Sequence, residues 1–338
     1  MAERPDLDYW LPILERELTG RRIAAVRVKK PVVLRLALPG SPAELLVGRG
    51  FGRVFRRGHF AVFELAGPEE HRPARSDGGE AGAPVDLVDL VIAPMLAGRF
   101  ALHAAAERAP ADLAVAFALD DGRELRYRDD VQMGKVYVVA HGEWRQVPGL
   151  EAIGVDVLDP SAFTLERFRA LARARRDQAK VFLMDRSALD AMGNAYADEA
   201  LFAAGVHPKT WIKSLGDEEL ARLHRAISDV LARAAAEIAR RKPPLEEKLR
   251  DFLSVRGKNR QPCPRCGTPI RTAGVHGHDA FFCPSCQPET RRSAIVSWDK
   301  LGAARSGDGA GGASAGGGAG EAGGVGRVKA PGARRRRR

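Results

Sequence analysis

The sequence predicts an α+β chain: an N-terminal helix and β-sandwich, then a helical block, then a β-hairpin framed by two cysteine knuckles. Three observations predict it. Apolar residues recur at helical spacing near residue 10 and again between 161 and 241. Short β-prone runs separated by Gly/Asp turns fill the space between them. The only four cysteines form two Cys-x-x-Cys pairs, Cys263-Pro264-Arg265-Cys266 and Cys283-Pro284-Ser285-Cys286, sixteen residues apart.

Residues 5–19 read as one helix. Trp10, Leu11, Leu14 and Leu18 share an apolar face, and Pro5 stands in the first turn, where a helix tolerates it. From 22 to about 158 the strand candidates are Ile23 to Leu38, Phe60 to Leu65, Leu87 to Ile92, Leu113 to Ala118 and Val136 to Ala140. The polar stretch from Gly67 to Pro84 reads as a long surface loop. Residues 161–241 are expected to be helical, with Phe163, Leu165, Phe168 and Leu171 on one face and Leu220, Leu223, Ile227 and Leu231 on another. Pro243-Pro244 closes that block. Between the knuckles, two β-prone runs flank Gly274 to Gly277, which predicts a hairpin.

Each knuckle can present two sulfurs to one centre, the arrangement that tetrahedral zinc takes with four thiolates. Two disulfides, a redox dithiol or four unrelated buried thiols are the alternatives. Disulfides fit poorly, because the chain shows no signal-peptide pattern and uses no other cysteine. Cys263, Cys266, Cys283 and Cys286 are therefore the expected ligands of one structural zinc. Four protein thiolates leave no open position, so such an ion holds a shape and activates no water.

No run of 18 uncharged apolar residues exists, which excludes a membrane-spanning helix. The formal charge is +11, of which a net +6 lies beyond Ala303, leaving about +5 for the rest. That last segment is Gly/Ala-rich and ends in five arginines. It is expected to be disordered, either a salt-sensitive phosphate tether or a solvated extension.

The run from Cys263 to Ile270, closing on Phe282-Cys283-Pro284-Ser285-Cys286-Gln287, resembles the C-terminal zinc finger of the Fpg/Nei family of formamidopyrimidine-DNA and endonuclease VIII-type glycosylases. The stretch from Phe182-Leu-Met-Asp through Met192-Gly-Asn-Ala-Tyr-Ala-Asp-Glu to His207-Pro208 is similar to that family's helix–two-turn–helix motif. On the residues alone, Gly193 permits a tight turn there, Asn194 can cap the following helix, and the free N–H groups of that helix can bind a phosphate. An ordinary interhelical turn is the plainer alternative. Family members begin Met-Pro-Glu-Leu-Pro-Glu-Val-Glu. This chain begins Met1-Ala2-Glu3-Arg4-Pro5-Asp6-Leu7-Asp8, matching in type at Glu3, Pro5, Asp6 and Asp8.

The resemblance implies an N-terminal helix and β-sandwich domain (1–158), a helix–two-turn–helix DNA-binding domain (159–255), a zinc-finger β-hairpin (256–300) and a tail (301–338). It also implies a base-excision-repair DNA glycosylase with associated AP-lyase activity. In the family an N-terminal proline amine attacks C1′ of the damaged nucleotide, and the neighbouring glutamate is the general acid/base. Carried over, the nucleophile is the α-amine of Ala2, exposed by methionine removal, and the acid/base is Glu3. A model α-amine has a pKa of about 7.7–8.0, so part of it is neutral near pH 7, although a primary amine lacks the ready-made iminium of proline.

Other carried-over positions differ in type. His59, in Arg57-Gly58-His59-Phe60, stands where the family usually has a lysine near the cleaved phosphate, and a protonated imidazole could donate there. Met95 corresponds to a void-filling wedge. Gln132 and Met133 stand at the other two wedge positions. His278, with His276 beside it, replaces a phosphate-gripping arginine, and Lys180 is a further candidate phosphate contact.

The implied partner is damaged DNA, bound by a monomer in a bacterial-type cytoplasm, nucleoid-associated when on DNA. The segment around 241–258 is the expected lesion-recognition loop. Two other readings remain: a catalytically impaired damaged-DNA-binding protein on the same scaffold, and an RNA-associated zinc protein that uses the arginine tail.

Overall fold

The computed structural model describes residues 2–67, 87–190 and 192–289. The polar stretch expected as a loop after Gly67 and the arginine tail lie outside the described residues. Helix α1 (Arg4–Leu18) buries Leu7, Trp10, Leu11, Leu14 and Leu18, the face that the periodicity picks out.

Two sheets follow. One has the order β2-β9-β5-β4-β3, built from β2 (Leu34–Leu36), β3 (Gly50–Arg57), β4 (Phe60–Ala66), β5 (Leu87–Ala93) and β9 (Lys135–Ala140). The other has the order β1-β7-β8-β6, from β1 (Ile23–Val28), β6 (Arg99–Ala104), β7 (Leu113–Leu119) and β8 (Arg123–Arg128). Only β2 runs parallel to its partner, β9; the other pairs in these sheets are antiparallel. One core cluster unites α1 with both sheets, and Trp10 meets Phe100 edge to face at 5.8 Å.

Strands β3, β6 and β8 escape the sequence reading because charge breaks their pattern. β8 reads Arg-Glu-Leu-Arg-Tyr-Arg, yet Glu124 and Arg126 are buried and paired at 2.7 Å. The long run expected from Ile23 to Leu38 divides into β1 and β2, with a short 3-10 turn at Pro31–Val33 between them.

A short helix α2 (Pro42–Leu46) lies between β2 and β3, and the helical block holds α3 (Leu165–Ala174), α4 (Ala179–Met184), α5 (Asn194–Ala204) and α6 (Asp217–Arg241) around their own core. α5 sits at its centre and buries nine residues, among them Tyr196, Asp198 and Glu199. A two-residue parallel pairing of β10 (Val155–Asp156) with β11 (Leu189–Asp190) leads back toward the sandwich. The hairpin joins β12 (Arg271–Val275) to β13 (His278–Phe282). Its turn, His276-Gly277, has φ of 45° and 80°. Positive φ at both central residues is the turn geometry that matches strand twist. Phe202 of α5 packs with Val255, Ile270, Cys263 and Cys283, which seats the knuckles on the helix.

Candidate active site

Strand register brings three loops to one end of the five-stranded sheet. Arg57 pairs with Phe60, Ala61 with Ile92, and Ala93 with Lys135. The turn carrying His59, the turn carrying Met95 and the turn carrying Gln132 and Met133 therefore emerge side by side. Gln132 and Met133 are exposed, and Asp129 pins their turn by accepting from the N–H groups of Gln132 (2.9 Å) and Gly134 (2.8 Å). Met95 is half-buried and has φ 47°, a left-handed conformation that is strained for a non-glycine residue.

The N-terminal segment is threaded into this end. The backbone nitrogen of Ala2 donates to the Met95 carbonyl at 2.7 Å, and Ala2 is 3% exposed. The Glu3 N–H donates to Asp6 Oδ2 at 2.9 Å, and Asp6 in turn accepts from Arg250 Nη2 at 2.6 Å. The Glu3 carboxylate accepts from the N–H groups of Ala195 (2.9 Å) and Tyr196 (3.1 Å) in the first turn of α5. Two of that helix's otherwise orphan donors are satisfied, and its dipole favours the negative charge.

This corrects the sequence reading of Gly193-Asn194 on three counts. Gly193 is in an extended conformation at φ −128°, not in a tight turn. Its glycine identity matters because a Cβ there would collide with the Glu3 side chain. Asn194 does not cap α5; it is the first helical residue, and its Nδ2 donates to Asp279 Oδ1 at 2.8 Å on the hairpin. The N–H groups expected to hold a phosphate are occupied by Glu3. His278 is exposed at the start of β13, beside Asp279, so the hairpin tip also meets the α5 N-terminus.

Two further expectations change. Lys180 is fully buried: its ammonium donates to Asp198 Oδ1 at 2.5 Å and to the Asp279 carbonyl at 2.6 Å. It clamps α4, α5 and the hairpin together and is not accessible to a phosphate. His59 is not a cation either. Burial, with the adjacent Arg186 charge, pushes its pKa down to about 3, so the ring is neutral near pH 7.

Sequence reasoning missed several residues that build the site. Arg186, after α4, places Nη1 2.6 Å from His59 Nε2 and 3.9 Å from Met95 Sδ. Arg56 spans Asp190 (2.5 Å), Asp156 (3.1 Å) and Asp8 (3.4 Å), while Arg4 pairs with Asp8 and Asp156. This network ties α1 and β3 to β10 and β11 beneath the site. No periodicity marks such residues, because most of their partners come from elements far away along the chain. From the 241–258 segment, Lys248 Nζ donates to the Leu96 carbonyl at 3.1 Å, and Arg250 stacks on Tyr196 at 5.4 Å. Glu199 accepts from the N–H groups of Ser254 (2.7 Å), Val255 (2.8 Å) and Arg256 (2.9 Å), fixing the lead into the hairpin.

The four knuckle sulfurs lie within 4.8 Å of one another, with separations of 3.4, 3.5 and 3.9 Å for three of the pairs. Zn–S bonds of about 2.3 Å in a tetrahedron require about 3.8 Å between sulfurs. The donor set fits, and Cys263, Cys266, Cys283 and Cys286 hold one structural zinc.

The comparisons agree with this geometry. Residues 1–136 match the formamidopyrimidine-DNA glycosylase N-terminal domain, 153–241 its H2TH domain, and 260–288 the zinc finger found in FPG and IleRS. The chain is 32% identical to the formamidopyrimidine-DNA glycosylase of Symbiobacterium thermophilum over 85% of this chain and 90% of that one. It is 33% identical to the enzyme of Salinispora arenicola, over 88% and 100%. Its fold is similar to that of the MutM (Fpg) protein from Thermus thermophilus, with TM-score 0.69 at 29% identity, covering 86% of this chain and 100% of that one. The Lactococcus lactis Fpg, solved with an abasic site containing DNA, shares the fold at TM-score 0.70 and 21% identity, over 85% and 100%. Fold and site together define a base-excision DNA glycosylase with an associated AP-lyase function. The chain belongs to the formamidopyrimidine-DNA glycosylase family.

Proposed function

We propose that this chain excises damaged bases and cleaves the resulting abasic site with the α-amine of Ala2 as nucleophile and Glu3 as general acid/base. The observation that supports this most is the seat of Glu3: a buried carboxylate fixed by two α5 N–H groups, adjacent in sequence to a nitrogen held at the mouth of the sheet. Removal of Met1 converts that nitrogen to a primary amine. Its lone pair bonds C1′ as the glycosidic electron pair departs with the base. Ring opening gives an imine, loss of a C2′ proton expels the 3′ phosphate, and water hydrolyses the imine to regenerate the amine. Glu3 carries the protons of these steps.

On this reading the everted nucleotide lies among the loops of His59, Met95 and Gln132-Met133, with Asn194 and His278 facing the backbone. The divisions 1–158, 159–255 and 256–300 then correspond to chemistry, backbone binding and zinc-held clamping. The partner is damaged DNA, met by a monomer in the bacterial cytoplasm. No helix among the described residues is long and apolar enough to cross a membrane.

Borohydride trapping on an abasic oligonucleotide tests the proposal, with the N-terminus read by mass spectrometry. A covalent adduct mapped to Ala2 is expected. No adduct from zinc-bound protein lacking Met1 would overturn the lyase assignment and leave a DNA-binding relative.

A further inference from the structure

We propose that Arg186 is the phosphate-binding cation of this site, and that His59 is the positioning residue that aims it. The proposal rests on the site reading above, and on four contacts.

The Arg186 Nη1 lies 2.6 Å from His59 Nε2. Arginine has only donors, so Nε2 is the acceptor and the imidazole proton sits on Nδ1. The same Nη1 reaches Met95 Sδ at 3.9 Å, and the Met95 carbonyl holds the Ala2 nitrogen at 2.7 Å. Burial lowers the Arg186 pKa from its ordinary value, the nearby Glu3 and Asp190 charges oppose that shift, and a guanidinium starts high enough to stay charged. Asp190 is itself paired to Arg56 at 2.5 Å, so its charge is already matched. Arg186 thus touches two of the residues that surround the nucleophile and feels the charge of a third, and it comes from the helical block rather than from the sandwich.

A permanent cation is what the chemistry needs at this point. Cleavage expels a phosphate next to the attacked sugar, and the group that receives it must remain charged. His59 is neutral at working pH, and Lys180 is sealed inside. Arg186 is half-buried, and its planar guanidinium offers paired donors that match phosphate oxygens. The neutral imidazole beside it restricts the rotation of a long side chain, so less freedom remains to be lost when DNA binds.

The test measures binding of the zinc-loaded full chain to a duplex carrying a tetrahydrofuran abasic analogue, which cannot react, across a salt series. The Arg186→Gln variant is expected to weaken binding about tenfold and to lower the slope of log affinity against log salt by about one, the signature of one lost phosphate contact. Arg186→Lys should keep the slope while losing part of the affinity. His59→Gln, whose amide oxygen can accept from Arg186, should bind within a few-fold of the parent, whereas His59→Ala should bind as weakly as Arg186→Gln but with the slope retained. An unchanged slope in folded, zinc-bound Arg186→Gln would overturn the assignment. Equal affinity of His59→Ala and the parent would overturn the positioning role. Because the duplex is unreactive, a lowered slope in a protein that forms no borohydride adduct would uphold Arg186 while the enzymatic reading fails.

Discussion

A Cβ placed on Gly193 would lie 2.4 Å from the carboxyl carbon of Glu3. The two residues are 190 positions apart in the chain, yet one can reach the α5 N-terminus only because the other is glycine. The close approach, not backbone conformation, is the constraint, since any residue can adopt the φ of −128° found there.

Gly193→Ala should therefore displace Glu3 by close to an ångström while leaving the helical core and the zinc in place. Misplacement on that scale costs roughly 10²-fold in rate. Single-turnover cleavage of an abasic duplex checks this, with zinc content as the control. A rate within threefold of the parent would mean that Glu3 does not act from this seat.

Glu3→Gln separates chemistry from binding. The amide can still accept from α5 through one oxygen but cannot shuttle a proton. Adduct formation should fall by about 10² to 10⁴, the usual contribution of general acid–base catalysis, while affinity for an unreactive abasic duplex holds within a few-fold. Filter-binding and trapping assays read the two quantities independently.

Arg250 and Asp6 meet at 2.6 Å, with Asp6 almost wholly buried. Arg250→Met would leave that carboxylate with the Glu3 N–H as its remaining contact here and should destabilise the fold by about 3 kcal/mol, as broken buried pairs do. Urea denaturation measures it. The loss should shrink when Asp6 is also replaced by Asn, because the stranded charge is then gone.

Stability should depend on His59 in acid. Its folded pKa of about 3 lies below the ordinary 6.5, so below pH 6.5 the unfolded chain takes up a proton that the folded chain refuses. Stability therefore falls as pH drops through that window and is unaffected by this group above it. Between pH 7 and pH 5 the parent should lose about 2 kcal/mol relative to His59→Gln. Parallel urea curves for the two proteins at both pH values decide it; equal losses would refute a neutral, half-buried imidazole.

Zinc removal should act on DNA binding rather than directly on proton transfer. Without the four thiolates joined, the hairpin loses its base, and with it the Asn194–Asp279 bond of 2.8 Å and the Lys180 bond to the Asp279 carbonyl. Chelation, or Cys266→Ser, is expected to lower the melting temperature and reduce abasic-duplex affinity by at least about tenfold; zinc readdition should reverse the chelated sample. Full affinity in zinc-free protein would show that the hairpin plays no part.

Much of the site was legible as position but not as state. The sequence marked Ala2, Glu3, His59 and Met95, and the fold gathers them. It marked Asn194 and Lys180 as phosphate contacts; the structure makes Lys180 a buried clamp and gives Asn194 an exposed bond to the hairpin. It did not mark Arg186, Arg56, Asp190 or Arg250, because an arginine or aspartate reads the same in a sequence whether its partner is water or an opposite charge from another element. Likewise β8 carries too much charge to read as a strand until Glu124 and Arg126 are seen to neutralise each other inside it.

By itself, then, the sequence determined whatever rests on local spacing. Two Cys-x-x-Cys knuckles specify a closed metal site, period 3.6 specifies α1 and α6, and a short glycine-bearing turn between β-prone runs specifies the hairpin. Tertiary structure alone decided which donor faces which acceptor, and with it the charge on His59, the burial of Lys180 and the seat of Glu3. The reason is physical: secondary structure and a short chelate follow from neighbours along the chain, whereas protonation and ion pairing follow from desolvation and from charges that only folding brings within a few ångströms.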